Sequence, residues 1–332
     1  MDYPFIWAGL IAFAVLAYVI LDGFDLGIGI LFPFVKAEKD RDAMMNSVAP
    51  IWDGNETWLV LGGGGLFAVF PLAYSIIMPA LYAPIIAMLL ALVFRGVAFE
   101  FRWKTVRGKF LWDWAFAGGS TLAAFAQGIA LGALVQGIPV ANRAYAGGWW
   151  NWLTPFSLLT GVALVIGYAL LGAGWLIYKT EGHVQSEAQR FAKITGIATL
   201  ILIGVVSLWT PFLNPSFMER WLRFPQLLYV APVPLLVLAC AYLLYQGLEK
   251  HYHLQPFLAS LALFVLCYIG IGISLYPFIV PGSVTIWQAA APDNSLEFLL
   301  VGTLVLVPLI LAYTAWSYWV FRGKVSTDGG YH

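Results

Sequence analysis

Six acidic residues lie inside or at the edges of long apolar stretches, where a charged side chain is costly. They are Asp22, Asp25, Asp53, Glu56, Glu100 and Asp113. A charge at the centre of a membrane helix costs about 2.5–3.5 kcal/mol on insertion scales, so each of these residues needs a compensating role. Partly buried carboxyl groups that lie close together hold and exchange protons, and carboxylates also coordinate hard cations. The pattern predicts proton transfer or cation binding.

The first two of these acids share one helix face. Asp22 and Asp25 are three residues apart in the string LDGFDLGIG, a spacing that makes them neighbours on a helix. Counted from Phe5 at 1.5 Å per residue, Asp25 lies about 30 Å along the helix. We therefore place both acids in the inner third of a membrane or at its inner interface. Asp25 has no capping role in mid-helix, which favours a functional role.

A structural interpretation competes with the functional one at several of these positions. Asp53 and Asp113 each open an apolar run, where an aspartate is expected as a helix cap. Asp22, Asp53 and Asp113 are also suitable ion-pair partners for Arg95 and Arg102. Arg95 lies inside an apolar run, and we interpret it as a structural arginine that pairs with a carboxylate.

The composition identifies the class of protein that positions these acids. Of 332 residues, 61% are hydrophobic and 10% are charged, and the formal net charge is zero. Soluble domains carry roughly 25% charged residues. The mean hydropathy is +0.83. These values exclude a soluble enzyme, a disordered chain and a nucleic-acid-binding protein, and they predict a polytopic membrane protein.

Nine apolar runs are long enough to cross a bilayer as helices. They cover 5–34, 54–74, 76–99, 113–137, 153–178, 192–212, 226–247, 256–279 and 295–321. We expect an all-α polytopic membrane protein with nine transmembrane helices, arranged as two four-helix bundles plus one peripheral helix. All of 1–332 forms one membrane-embedded domain. Its first bundle spans about 1–137, its second about 152–280, and its last helix about 295–321.

The basic residues predict the orientation of the chain. Under the positive-inside rule, the side of the membrane with more Lys and Arg is cytoplasmic. One side holds Lys36, Lys39, Arg41, Arg102, Lys104, Arg107, Lys109, Lys179, Arg190, Lys193, Lys250, Arg322 and Lys324. The other side holds Arg143, Arg220 and Arg223. We expect a cytoplasmic C-terminus, an external N-terminus, and all six acids towards the cytoplasmic side.

The chain offers few candidate ligands for haem or for a metal ion. His183, His251, His253 and His332 all lie outside the apolar runs, whereas haem iron is usually held by His, Met or Cys. Cys240 and Cys267 lie in apolar runs without a metal-type spacing, so we interpret them as buried hydrophobic residues. We expect no haem ligand, no metal site and no catalytic residue in this chain.

Several strings together resemble subunit II of the cytochrome bd-type quinol oxidases, and the cyanide-insensitive branch more than the enteric one. They are LDGFDLGIGILFPF (21–34), NSVAPIWDGNETWLVLGGGGLFAVFPLAY (46–74), FRGVAFEFR (94–102), WDWAFAGGS (112–120), SLYPFIVP (274–281) and LVPLILAYTAWSYWVF (306–321). The motifs DGFDxGxG and WDGNExW are the most specific. Residues 138–255 match the family only in hydropathy.

The resemblance implies a function for the complex and a division of labour within it. In that family, subunit I oxidises ubiquinol or menaquinol and carries two b-type haems and one further d- or b-type haem. Subunit II carries no haem ligand and pairs with subunit I in the bacterial cytoplasmic membrane. The family's proposed proton route implies roles for Asp25 and Asp53, with Trp58 nearby. Some members also contain a structural quinone or lipid, or a small single-span accessory subunit.

Three functions remain open from the sequence. The first is a haem-free oxidase subunit that stabilises subunit I and supplies cytoplasmic protons for the reduction of O2 to water, which contributes to the proton-motive force. The second is a proton- or cation-coupled secondary transporter, although transporters place their site near the midplane between matched halves. The third is a structural scaffold in which the acids are helix caps.

Overall fold

The structure is a computed structural model that describes residues 1–325, and it is almost entirely helical. The helices are α1 (Tyr3–Leu31), α2 (Glu38–Asn46), α3 (Trp52–Val69), α4 (Pro71–Ala80), α5 (Tyr82–Lys104), α6 (Lys109–Gln136), α7 (Pro155–Lys179), α8 (Gly182–Trp209), α9 (Pro215–Leu222), α10 (Gln226–Val230), α11 (Pro232–Glu249), α12 (Gln255–Leu275), α13 (Ile286–Ala289) and α14 (Asp293–Val320). Two small antiparallel hairpins pair β1 (Val140–Ala141) with β2 (Ala144–Tyr145) and β3 (Phe278–Val280) with β4 (Val284–Thr285).

The all-α membrane architecture with about nine helices is confirmed. Within residues 1–325, eight helical segments are long and apolar enough to cross a membrane. The predicted span 54–74 corresponds to α3 and the start of α4, and α4 is a shorter apolar helix that continues past the predicted start of the next span at residue 76. The break after Val69 was not predicted. It occurs at Phe70 because Pro71 has no backbone N–H and restricts the residue before it.

Close helix contacts hold α1 in the centre of the molecule. A Cβ atom added to Gly27 would lie 1.8 Å from the carbonyl oxygen of Tyr168 on α7, and one added to Gly172 would lie 2.4 Å from the Gly27 carbonyl carbon. Only glycine allows two helix backbones to approach this closely. The aspartates lie on a different face of α1, which contacts Asn55 of α3 and Arg95 of α5.

One end of the helical array, which we call the basic end, carries most of the Lys and Arg residues. The first span, α5, α7, α11 and α14 end there, and the short helix α2 lies across it. Both hairpins lie in connections at the opposite end. Because α1 packs against α7, the two halves of the chain share a continuous core. The predicted division into two bundles stays a prediction.

Candidate functional site

Four charged residues from three helices form a buried acid cluster, defined here as Asp22, Asp25, Glu56 and Arg95. The side chains of Asp22, Asp25 and Arg95 are fully buried. Arg95 Nη2 lies 2.7 Å from Oδ1 of Asp22 and 3.8 Å from Oδ2 of Asp25. Arg95 Nη1 donates to Oε2 of Glu56 at 3.4 Å, and the Glu56 side chain is 27% exposed. Three acids therefore share one base.

The local sequence explains how the cluster is assembled. The DGFD string puts two carboxyl groups on one face of α1, and the first turns of α3 supply Glu56. Arg95 extends from α5 and lies beside the stacked rings of Trp52 and Phe99. Its guanidinium carbon lies 6.0 Å from the ring centroids of both Trp52 and Phe99. Contact with aromatic faces stabilises a desolvated guanidinium, so the arginine stays fixed in the protein interior.

The cluster contains more acid than its base can neutralise. Both carboxyl oxygens of Asp22 and Oδ1 of Asp25 accept no hydrogen bond from any residue in 1–325. The contact between Arg95 and Asp22 is an ion pair without good hydrogen-bond geometry. A buried carboxylate with unpaired oxygens is costly, so the excess negative charge favours bound protons or water. The arrangement is suited to holding a proton that exchanges.

Two uncharged residues that the sequence analysis missed complete the site. Asn55 Nδ2 donates to Oδ2 of Asp25 at 2.8 Å, and the Tyr318 hydroxyl donates to Oδ1 of Asn55 at 2.9 Å. Asn55 is 1% exposed. The residues predicted for the site were charged residues and Trp58, although Asn55 lies next to Glu56 in the WDGNE motif. No local sequence pattern indicates Tyr318, because it lies 263 positions along the chain from its partner Asn55.

Asp53 and Trp58 lie outside the buried acid cluster. Asp53 is exposed in the first turn of α3, and its carboxylate has no hydrogen-bond or ion-pair partner among residues 1–325. Trp58 is buried against Phe13, with ring centroids 5.7 Å apart. The structure therefore does not place the Asp53 carboxylate with Asp25, and the roles of Asp53 and Trp58 in proton transfer stay predictions.

Glu100 and Asp113 also lie away from the buried acid cluster. Glu100 is exposed and pairs with Lys104 one turn later at 3.2 Å. Asp113 accepts from Arg102 Nε at 2.5 Å and pairs with Arg41 at 3.2 Å. Asp113 is the fifth residue of α6 and caps no helix, so ion pairing is its observed structural role. Proton transfer by these two acids stays a prediction.

Asp113 belongs to a second group, the rim cluster, at the basic end. It consists of three acids and three bases: Glu38, Asp42, Asp113, Arg41, Arg102 and Lys109. Arg102 is fully buried and donates to Asp42 at 2.6 Å. Lys109 contacts Glu38 at 2.6 Å and Asp42 at 3.6 Å. The hydrogen bond from Lys109 lowers the pKa of Glu38 below its usual value. Acids and bases are equal in number here.

The described histidines are held outside the membrane spans or at their ends. His183 Nδ1 lies 2.7 Å from Oδ2 of Asp40, and His253 and His251 contact the side chains of Gln185 and Gln189. His332 lies outside the described residues. Within residues 1–325, no group of three or more His, Cys, Asp or Glu side chains is arranged to hold a metal ion.

The chain is similar to known proteins over nearly its whole length. The family model for cytochrome bd terminal oxidase subunit II matches residues 3–321. Cytochrome bd-I ubiquinol oxidase subunit 2 of Escherichia coli is 30% identical, covering 99% of this chain and 97% of the relative. Cytochrome bd ubiquinol oxidase subunit 2 of Bacillus subtilis is also 30% identical, covering 97% of this chain and 96% of the relative.

A solved structure shares the fold. A chain in the structure of bd oxidase from Geobacillus thermodenitrificans superimposes with a TM-score of 0.77 and 17% sequence identity. The match covers 97% of this chain and 99% of that chain. At this identity the likeness supports the arrangement of the helices, and it assigns no role to individual residues.

Proposed function

Because the chain belongs to the cytochrome bd terminal oxidase subunit II family, we propose that it is the haem-free subunit of a bacterial quinol oxidase that supplies protons for O2 reduction. Its partner is the haem-bearing subunit I, whose substrate is ubiquinol or menaquinol. The complex lies in the cytoplasmic membrane, with the basic end of this chain facing the cytoplasm. Its C-terminus is then cytoplasmic and its N-terminus external.

The observation that carries this proposal is the acid excess of the buried acid cluster. Asp22, Asp25 and Glu56 share the single guanidinium of Arg95. Two unbalanced negative charges in a membrane interior are costly, and binding protons removes that cost. When a neighbouring site consumes a proton, the cluster can release one and be refilled from the basic end. Asp25 and Asp22 hold the proton, and Arg95 positions both carboxyl groups.

The reduction of O2 to water consumes protons, and the side from which they come determines the energetic yield. If this chain delivers them from the cytoplasm while quinol oxidation releases protons outside, a proton-motive force develops without a pump. The chemistry of O2 takes place in subunit I, where two b-type haems and one d- or b-type haem supply the redox steps. This chain contributes proton access and stabilises its partner.

An apolar groove offers a place for the structural quinone or lipid that the family resemblance implies. The groove has a volume of about 360 Å³ and lies between α1, α3 and α14. Trp58 lines it, and the indole Nε1 of Trp58 has no acceptor among residues 1–325. A carbonyl or ester oxygen of such a molecule is a suitable acceptor.

The proposal is tested by replacing Asp25 in the assembled oxidase. Asp25→Asn keeps the shape of the side chain and removes its ability to bind a proton. We expect O2 consumption per haem to fall about 100-fold, the lower range for loss of a proton-transfer group. Asp113→Asn in the rim cluster is the matched control and should change turnover less than about twofold, since Arg102 keeps its pair with Asp42 and the buried acid cluster is unchanged.

Unchanged turnover and unchanged proton uptake by Asp25→Asn would contradict the proposal and leave the scaffold interpretation. The haem-free assignment has its own test, which is the visible spectrum of the chain purified without its partner. We expect no haem bands from it. Haem bands from the chain alone would overturn that part of the proposal, and capture of no haem-bearing partner on purification would favour the transporter.

A further inference from the structure

A cavity of about 480 Å³ opens at the basic end, next to the buried acid cluster. The end of α7, the turn between α2 and α3, and the end of α14 form its walls. Asn46 and Ser47 line it from the turn, Trp175 and Lys179 from α7, and Tyr318 and Val320 from α14. Its volume is large enough for several water molecules.

The lining of this cavity contains a polar group that requires water. Asn46 Oδ1 is buried and accepts no hydrogen bond from any residue in 1–325. Lys179 is 4% exposed, but its ammonium group donates to backbone carbonyls, so Asn46 is the residue here whose side-chain oxygen lacks a donor. Buried polar atoms are nearly always paired, and ordered water is the usual partner where protein offers none. The buried Asn46 oxygen therefore indicates water inside the cavity.

One wall of the cavity is held in place by a single side chain. Lys179 Nζ donates to the backbone carbonyl of Phe321, and to that of Gly323 at 2.6 Å. The backbone N–H of Val325 donates to the Lys179 carbonyl at 2.8 Å. Lys179 therefore fixes the segment after α14 against the end of α7. The cavity is a built feature of the fold and not a gap between mobile segments.

The inner end of the cavity is connected to Asp25 by hydrogen bonds through Tyr318 and Asn55. Tyr318 lines the cavity, and its hydroxyl donates to Asn55, which in turn donates to Asp25. Two hydrogen bonds therefore separate the cavity from the carboxyl group. An amide does not pass a proton along such a chain in its ordinary form. Asn55 orients Asp25, and water must pass Tyr318 to reach the acid.

We propose that this cavity is the aqueous access route by which cytoplasmic protons reach Asp25, and that Tyr318 is the positioning residue that closes its inner end. The inference rests on the proposed function of Asp25. In the transfer step, a hydronium ion that has passed Tyr318 from the cavity gives its proton to a carboxylate oxygen of Asp25, leaving neutral water and a neutral carboxyl group. The route is distinct from one that begins at Asp53, which is exposed outside the cavity.

The sharpest test plugs the cavity after the oxidase has folded and assembled. Val320→Cys puts a thiol on the cavity lining, and Trp319→Cys puts one on the adjacent residue outside that lining. Both variants carry Cys240→Ala and Cys267→Ala, which remove the native thiols. A bulky maleimide is attached to each purified complex, and O2 consumption and proton uptake are measured in liposomes before and after labelling.

We expect the label at position 320 to slow turnover and proton uptake at least about tenfold, because it blocks a proton-transfer route. The label at position 319 should change both less than about twofold. Equal rates for the two labelled complexes would overturn the access route. If Asp25→Asn also keeps full turnover, the proposed function itself fails. If Asp25→Asn is inactive but the label at 320 is harmless, only the cavity assignment fails.

Tyr318→Phe tests the positioning residue with a readout that simple packing does not move. The ring is kept, so the cavity wall stays in place. Asn55 loses the hydrogen bond from the Tyr318 hydroxyl, and its side-chain amide is no longer oriented to donate to Asp25. We expect the pH profile of turnover to move to higher pH and proton uptake to change about threefold to tenfold, the scale of one hydrogen bond. An unchanged pH profile would contradict this role.

Discussion

The buried acid cluster and the rim cluster are each built around a fully buried arginine, and the two arginines lie seven residues apart on α5. Arg102 in the rim cluster is matched by acids that each have a second base. Asp113 also contacts Arg41, and Asp42 also contacts Lys109. Arg95 in the buried acid cluster faces three acids that have no other base among residues 1–325. A buried arginine is thus part of a balanced group of charges in the rim cluster and of an acid excess in the buried acid cluster.

The difference separates a structural ion-pair network from a site that exchanges protons. A balanced network neutralises its own charges and has nothing to gain from a bound proton. An acid excess in a water-poor interior lowers its energy by binding one. The rim cluster also lies where water and mobile ions screen its charges. We infer that charge balance, and not burial alone, distinguishes the functional acids from the others.

The largest expected effect comes from removing each arginine in turn. Arg95→Met leaves three acids without a base. We expect the free energy of unfolding to fall by about 3–5 kcal/mol, which is typical of breaking a buried ion pair. Arg102→Met leaves acids that keep a second base. We therefore expect the free energy of unfolding to fall by about 1.5–3 kcal/mol, the scale of hydrogen bonds to charged groups. Thermal unfolding of the two assembled variants measures the difference.

The pH dependence of these two variants sharpens the comparison. Without Arg95, the folded protein must bind more protons than the unfolded chain, so its stability falls as pH rises. Arg102→Met should show much weaker dependence between pH 6 and about pH 8, since Arg41 and Lys109 still balance the rim acids. Equal pH dependence in both variants would remove the distinction between the clusters.

A smaller effect is expected from two acids of the same motif. Glu56→Gln removes a member of the buried acid cluster, and we expect turnover to fall about tenfold, below the range for the main proton-transfer group. Asp53→Asn alters an exposed side chain without a partner in the described chain, and we expect less than about a twofold change. Steady-state O2 consumption measures both. A larger loss from Asp53→Asn would restore the sequence-based assignment of Asp53.

The smallest effect is expected at the exposed edge of the rim cluster. The lowered pKa of Glu38 means that its pair with Lys109 stabilises the fold above the ordinary glutamate pKa. That stability is lost as pH falls through the lowered pKa, and Glu38→Gln removes it. Because the pair is exposed, we expect it to contribute about 0.2–1 kcal/mol to the free energy of unfolding. Unfolding of wild type and Glu38→Gln should differ at pH 7 and converge in acid.

Much of the fold and part of the site were predictable from the sequence. Hydropathy identified the membrane class and about nine helices, because each helix that crosses a bilayer needs an apolar run of about 20 residues, which is visible in the sequence. The spacing of Asp22 and Asp25 placed both on one buried face, as observed. Local spacing of this kind is visible in sequence because both residues belong to one helix.

The rest of the site depends on contacts between distant helices. Helix capping and ion pairing with Arg95 or Arg102 were both open for Asp113 in the sequence, and the packing of α5 against α6 selects the pair with Arg102. Tyr318 reaches Asn55 from the last helix, which no local pattern indicates. The exposure of Asp53 depends on how the first turn of α3 is rotated, which hydropathy does not determine.

The central claim is that the buried acid cluster holds an exchangeable proton and the rim cluster does not. Infrared difference spectroscopy of the assembled oxidase measures this directly, through the carbonyl stretch of a protonated carboxyl group and its shift in D2O. We expect a D2O-sensitive band at neutral pH that is lost in Asp25→Asn and unchanged in Asp113→Asn. A band that persists in Asp25→Asn, or that is lost in Asp113→Asn, would contradict the account.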